Sequence, residues 1–177
     1  MDRCLKLYNR EFEVLPEAWE SLLNAFVLTN RAVSVIQEYP DLSKMQSNQL
    51  DSFLEKCELV EWQKEEIRCS ADKTESYQRF ENLRKISRAI EASNESVMIL
   101  KKKGIFIENE LKHKFDFLCK LIADSVFEFR SNLQWKLPYE NRMHESLDLL
   151  YKDGSKIMDE LESQLKRRLW NAEGQAH

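Results

Sequence analysis

The sequence predicts an all-α fold, an antiparallel bundle of four long helices with one short connector helix between the first and second of them. Three observations lead there. Only three glycines and three prolines occur in 177 residues, which leaves little material for the turns of a β-rich chain. Charged residues make up 33% and hydrophobic residues 42%, the balance of amphipathic helices with one face in water. Finally, apolar residues recur in steps of three and four through most of the chain, the period that gathers side chains on one helix face.

The first long helix carries the clearest stripe, running from Leu5, Tyr8, Phe12 and Leu15 through Trp19, Leu22, Phe26 and Thr29 to Val33 and Ile36. Pro16 lies off this stripe, so the expectation is one helix kinked near Phe12 to Leu15 rather than two helices. Tyr39-Pro40-Asp41 should end it, because a residue before proline is pushed out of the α region. The connector is expected at Ser47 to Cys57, capped by Ser47 or Asn48, with Leu50, Phe53 and Leu54 on its buried side.

A second long helix is expected from about Val60, with Trp62, Ile67 and Tyr77 leading into a seam of Phe80, Leu83, Ile86, Ile90, Val97 and Leu100. Lys101, Lys102 and Lys103 place positive charge on its negative pole. Gly104 is expected in the left-handed conformation that closes helices, with Ile105 folding back on Leu100.

The third long helix should open near Glu108, since Glu108 and Glu110 suit a positive helix end. Its face runs through Leu111, Phe115, Leu118, Ile122, Phe129 and Leu133, widened by Phe117, Leu121, Val126 and Phe127, so it should be the most buried of the four. Pro138 and Glu140 should open the last long helix, with a seam of Met143, Leu147, Leu150, Gly154, Ile157, Leu161 and Leu165. Its stripe stays in phase across Asp153-Gly154, so that pair reads as a place where a neighbouring helix comes close rather than as a turn. Residues 1–170 then form one domain, and Asn171 to His177 form a frayed tail.

Charge and cysteine usage bound the function. A net charge of −4, with basic and acidic residues interspersed, provides no field to gather phosphate backbones, so nucleic acid is not an expected partner. Cys4, Cys57, Cys69 and Cys119 lie far apart with no C-x-x-C pair and read as reduced thiols of a cytoplasmic protein. The opening Met1-Asp2-Arg3-Cys4-Leu5-Lys6 lacks the apolar run of a signal peptide. No later segment reaches the roughly 18 uninterrupted apolar residues of a membrane span, so the expectation is a soluble chain.

Four-helix bundles can hold metal through Glu-x-x-His motifs. Glu110-Leu111-Lys112-His113 has that form and makes Glu110 and His113 the candidate ligands. Against them, Leu111 belongs to the core stripe and turns both toward its flanks, and His144 follows Glu140 by four residues rather than three. No Gly-rich phosphate loop, G-x-S-x-G elbow or H-E-x-x-H motif is present, no local signature marks a cysteine as an activated nucleophile, and no cofactor is expected. Two basic clusters remain, Lys101 to Lys103 and Lys166 to Arg168. Both sit where helix ends attract cations, and Trp170 beside the second adds the option of a membrane surface. Trp19, Trp62 and Trp135 read as core or junction anchors.

Taken together, Glu13-Val14-Leu15-Pro16-Glu17-Ala18-Trp19, Tyr39-Pro40-Asp41-Leu42, Gln49-Leu50-Asp51-Ser52-Phe53-Leu54, Trp62-Gln63-Lys64 and Lys103-Gly104-Ile105-Phe106-Ile107 resemble a family of uncharacterised small bacterial all-helical proteins. The likeness spans about residues 8 to 170 and implies a helical fold, but none of these motifs carries known chemistry, so it transfers no catalytic or binding residue. Some members of that family have a membrane-spanning segment before the helical region, and this chain departs from them by beginning with charged residues.

The leading expectation is therefore a non-enzymatic interaction or scaffold module acting on a protein partner. The sustained three-four spacing would also suit a homodimer joined along helix faces. A peripheral membrane or membrane-anchored regulator using Lys166, Arg167, Arg168 and Trp170 at the surface is the first alternative, and a metal-binding bundle using Glu110 and His113 the second.

Overall fold

Apolar stripes of this length must be buried against one another, and the computed structural model buries them in an all-helical bundle. It describes residues 3–34, 36–135 and 138–170, the side chains of residues 3–5 and 139 excepted. The expected frayed tail at 171–177 and the Leu5 side chain fall outside that description.

The helices are α1 (Arg3–Val33), α2 (Ser47–Lys56), α3 (Glu61–Cys69), α4 (Lys73–Lys103), α5 (Asn109–Gln134), α6 (Glu145–Leu149) and α7 (Ser155–Trp170), with α6 and α7 joined by a π turn at Leu150–Gly154. Four long elements, α1, α4, α5 and the α6–α7 unit, run alternately up and down. The α1–α5 diagonal is in direct contact, with α4 on one side of it and α7 on the other. One core joins all four through Leu15 and Leu22 of α1, Leu100 of α4, Phe115, Leu118 and Ile122 of α5, and Leu161 and Leu165 of α7.

The first helix runs unbroken through Pro16, which is exposed. It ends at Val33, before the Tyr39-Pro40 stop. Side chains supply the reason. Gln37 Nε2 donates to the carbonyls of Ala32 and Ser34 at 3.1 and 3.2 Å, and the Tyr151 hydroxyl donates to that of Val33, so the last acceptors of the helix are met without another turn. Ile36, expected on the buried stripe, is 84% exposed as a result.

The connector α2 lies where it was expected, with Leu50 and Leu54 buried. Its cap, however, is Gln46 rather than Ser47 or Asn48: Gln49 Oε1 accepts from the Gln46 backbone N–H at 3.0 Å.

The expected second long helix is two helices. Between α3 and α4, Asp72 takes an extended conformation and its carboxylate accepts from the Glu75 backbone N–H at 2.9 Å, starting a new helix. With that break, α2 and α3 fold onto the first turns of α4 and bury Leu42, Leu50, Leu54, Leu59, Ile67 and Phe80 in a second cluster. Glu58, between α2 and α3, pairs with Arg84 and Arg88 of α4, fastening this lobe to the bundle.

Gly104 is right-handed, at φ −61° and ψ −15°, and opens a 3-10 turn instead of closing α4 with a left-handed cap. That turn throws Ile105 outward, 78% exposed, and buries Ile107 in its place. Glu108 caps α5 with both carboxylate oxygens, which accept from the backbone N–H groups of Glu110 and Leu111. The wide apolar face expected of α5 is narrower in fact. Leu121 and Val126 are buried, but Phe117, Phe127 and Leu133 are 47%, 63% and 46% exposed.

The last long helix begins at Glu145 rather than at Pro138, and Met143 lies outside it. Its start is fixed by α5: Glu128 accepts from the backbone N–H groups of Ser146 and Leu147 at 3.0 Å each, and Asn132 exchanges two hydrogen bonds with the Met143 backbone. The chain continues through Gly154, as the stripe implied, but as a π turn. Gly154 is buried, and a β-carbon there would stand 3.2 Å from Phe26 of α1, so the close approach is real.

Candidate functional site

Sequence reasoning placed Glu110 and His113 as metal candidates on the first turns of α5. Both are exposed, and Glu110 stands 3.7 Å from Lys114 Nζ. Among the described residues no group of three or more His, Cys, Asp or Glu stands close enough to hold a metal ion.

The basic cluster at the end of α7 does not act as one patch. Lys166 pairs with Glu162 at 2.6 Å along the same helix. Arg168 reaches across to Glu11 of α1, Nη2 to Oε2 at 2.9 Å, and the other Glu11 oxygen accepts from the Glu108 backbone N–H. Glu11 is buried, so this pair ties α1, α7 and the start of α5 together at one end of the bundle. All three basic side chains are exposed, as is Trp170 at 72%, but of the three only Arg167 has no ion pair among the described residues. No helix among the described residues is long and apolar enough to cross a membrane.

Of the three other tryptophans, Trp19 alone packs on the core. Trp62 leans edge-on against Phe80 with ring centres 5.4 Å apart yet is 62% exposed, and Trp135 is 71% exposed. Two of the thiols are shielded. Cys119 is buried, within 3.2 Å of Ser96 Oγ, and Cys57 contacts the Phe53 carbonyl; burial pushes the thiol pKa of each above its ordinary value. Cys69 is exposed.

The polar groups of the small lobe also serve packing. Arg84 grips both oxygens of the buried Glu81 and extends to Glu58, while Tyr39, Gln37, Asn82 and Lys85 close the segment after α1 onto α4.

Between antiparallel α4 and α5 runs a groove of about 370 Å³, open to solvent on one side. Val97, Leu100, Cys119 and Ala123 form its apolar floor, and Ile105 stands at the turn end. Lys101, Lys112 and Lys120 rim it. Lys112 is held by Asp116 at 2.6 Å, whereas Lys101 and Lys120 have no ion pair among the described residues.

The groove exists because Gly104 and the tight turn to Ile107 bring α4 and α5 side by side, so that Ser96 and Cys119, 23 positions apart, touch. The sequence reading assigned Val97 and Phe127 to the core and the lysines at 101–103 to the helix end. The signal it missed was that Lys120, Ala123 and Phe127 recur every three to four residues on the side of α5 away from Phe115 and Ile122.

Comparison with protein families, with curated proteins and with solved structures finds no match to this chain, so its function has to be argued from the groove and the bundle that forms it.

Proposed function

We propose that this protein is a non-enzymatic interaction module, a stiff helical bundle that presents the α4–α5 groove to a protein partner. The observation that carries this reading is the groove itself, an apolar floor open to solvent between two long helices and rimmed by lysines. Glu11, Glu58, Glu128 and Tyr39 each fasten elements of the fold together, while at the groove Lys101 and Lys120 have no ion pair among the described residues. Concave, mostly apolar surfaces with a few polar groups at the edge are where recognition concentrates. The helical family that the sequence resembles is compatible with a module of this kind and contributes no residue to it.

The test is photo-crosslinking from the full-length protein in a cell extract, with the reactive side chain placed at Ala123 in one variant and at Glu160 of α7 in another. Adducts should form from position 123, and excess unlabelled protein should suppress them unless it carries Ala123→Arg. Both positions are exposed, so neither change threatens the fold. Indistinguishable adducts from the two positions, or adducts indifferent to the Ala123→Arg competitor, would overturn the reading.

A second reading is a peripheral contact with anionic membranes through Arg167 and Trp170, favoured by their exposure side by side near the end of α7. Because Lys166 and Arg168 are engaged with Glu162 and Glu11, this patch offers less free charge than the run of basic residues suggests. Co-sedimentation with phosphatidylglycerol vesicles at low salt, lost in Arg167→Glu with Trp170→Ser, would support it.

A further inference from the structure

We infer that the α4–α5 groove takes an amphipathic helix of a partner protein, one whose apolar stripe is flanked by acidic residues. This inference rests on the docking role proposed for that groove and adds the chemistry of the occupant.

Shape argues for a helix. On α5 the groove-lining residues run from Lys112 to Ala123, which at the rise of an α-helix is about 16 Å, or three turns. A single ridge of side chains laid along it would meet Val97 and Leu100 on one wall and Cys119 and Ala123 on the other, as ridges meet grooves between packed helices. Ala123 is exposed and small, so it leaves the end of the groove far from the Gly104 turn open enough for a backbone to come close. Beyond it, one turn along the same face, Phe127 stands 63% exposed, and at the other end Ile105 stands 78% exposed. Two large apolar side chains in water at either end of an apolar floor fit an elongated occupant with apolar residues at i, i+3, i+4 and i+7.

Charge argues for acidic flanks. Lys101 and Lys120 stand on opposite walls of the groove with no ion pair among the described residues, in a chain whose net charge is −4. A helix with glutamates beside its apolar stripe would meet both cations, and a basic helix would meet repulsion at both.

The experiment displays a library of helical 14-residue peptides, with a fixed apolar stripe and flanking positions drawn from Glu, Gln and Lys, and selects it on the full-length protein. Glutamate should be enriched at flanking positions. Selected peptides should weaken with rising salt, and should bind Lys101→Glu/Lys120→Glu at least tenfold more weakly, with Lys-flanked peptides gaining on that variant. Ala123→Arg should abolish binding while its circular dichroism stays that of the parent. Peptides that depend on Ala123 but show no preference among the three flanking residues would overturn the acidic partner and leave the docking groove standing. Peptides indifferent to Ala123→Arg, or no enrichment at all, would overturn the docking groove as well. Binding of oleate or phosphatidylglycerol vesicles through Lys101 and Lys120, with no helix enriched, would overturn the inference in favour of an anionic amphiphile.

Discussion

Gly154 closes the π turn with Phe26 Cε2 and Leu150 Cδ1 each 3.2 Å from where a β-carbon would stand, so the helices α1 and α7 meet over a missing side chain. Filling that space with Gly154→Leu forces the Phe26 ring or the turn itself to move, and should cost about 1–3 kcal/mol in urea unfolding. Gly104 should behave in the opposite way. Its φ of −61° is ordinary for any residue, and a β-carbon would meet only the flexible end of Lys112, at 3.1 Å. Gly104→Ala should therefore leave stability unchanged or raise it by up to about 1 kcal/mol through the lower entropy of the unfolded chain. A large loss there would mean that the left-handed cap read from the sequence is the true conformation.

Also at this scale, Tyr77 packs edge-on to Phe53 beside Cys57 and Glu81, and burial, reinforced by those neighbours, pushes its hydroxyl from the ordinary value of 10 up to about 12. In the unfolded chain the same hydroxyl ionises near 10. Between those two values the unfolded state has lost a proton that the folded state still holds, so this group's contribution is intact below pH 10 and declines as pH rises toward 12. Denaturant midpoints measured across that alkaline window should fall, and fall less in Tyr77→Phe. Tyrosinate absorbance should show one late-titrating group that the variant lacks.

At the scale of elements, the stripes of α1, α5 and α7 were legible because each spans several turns of a single period, and tertiary packing had only to bury what the pattern offered. The break before α4 was written in the sequence as well, in Asp72-Lys73-Thr74-Glu75, an acidic cap followed three residues later by glutamate. Apolar residues that continue in helical steps on both sides mask it. Other features have no local signature. The start of α6 depends on Glu128, 18 residues earlier, and the end of α1 on Tyr151, 118 residues later, so no window of sequence contains both halves of either cap.

The groove has the same origin: its walls come from two helices, and only their register brings Cys119 to Ser96. Arg167 and Arg168 illustrate the gap well, since they are adjacent and alike in sequence but differ in what they hold. Arg168→Ala strands the carboxylate of Glu11, whose side chain is 5% exposed, and should cost about 1–3 kcal/mol. Arg167→Ala should stay within about 0.5 kcal/mol of the parent. Chemical unfolding of the two variants side by side decides the matter, and equal effects would dissolve the three-way tie among α1, α5 and α7.

For the whole molecule, the arrangement of α4 determines how stability is distributed. Its first turns belong to the cluster with Leu54 and Ile67, and its later turns to the bundle core with Phe115 and Leu118, so one helix backbone joins two separately packed units. The smaller unit has fewer buried side chains and depends on Glu58, Arg84 and Arg88 to hold α2 and α3 down. It is the region expected to open first, at a free energy below that of global unfolding. Leu54→Ala removes a fully buried side chain from its centre, a change that costs about 2–5 kcal/mol in well-packed sites. If the lobe opens on its own, hydrogen exchange in the variant should accelerate through α2, α3 and the first two turns of α4. Amides around Leu118 and Ile122 should keep nearly their original protection, because the opening that exposes them does not require the lobe to be folded. Equal acceleration in α5 would show instead that α4 transmits the loss along its length and that the two clusters unfold as one. The groove lies on the bundle half of α4, between Val97 and Leu100, so partner binding should survive Leu54→Ala in the first case and weaken with it in the second.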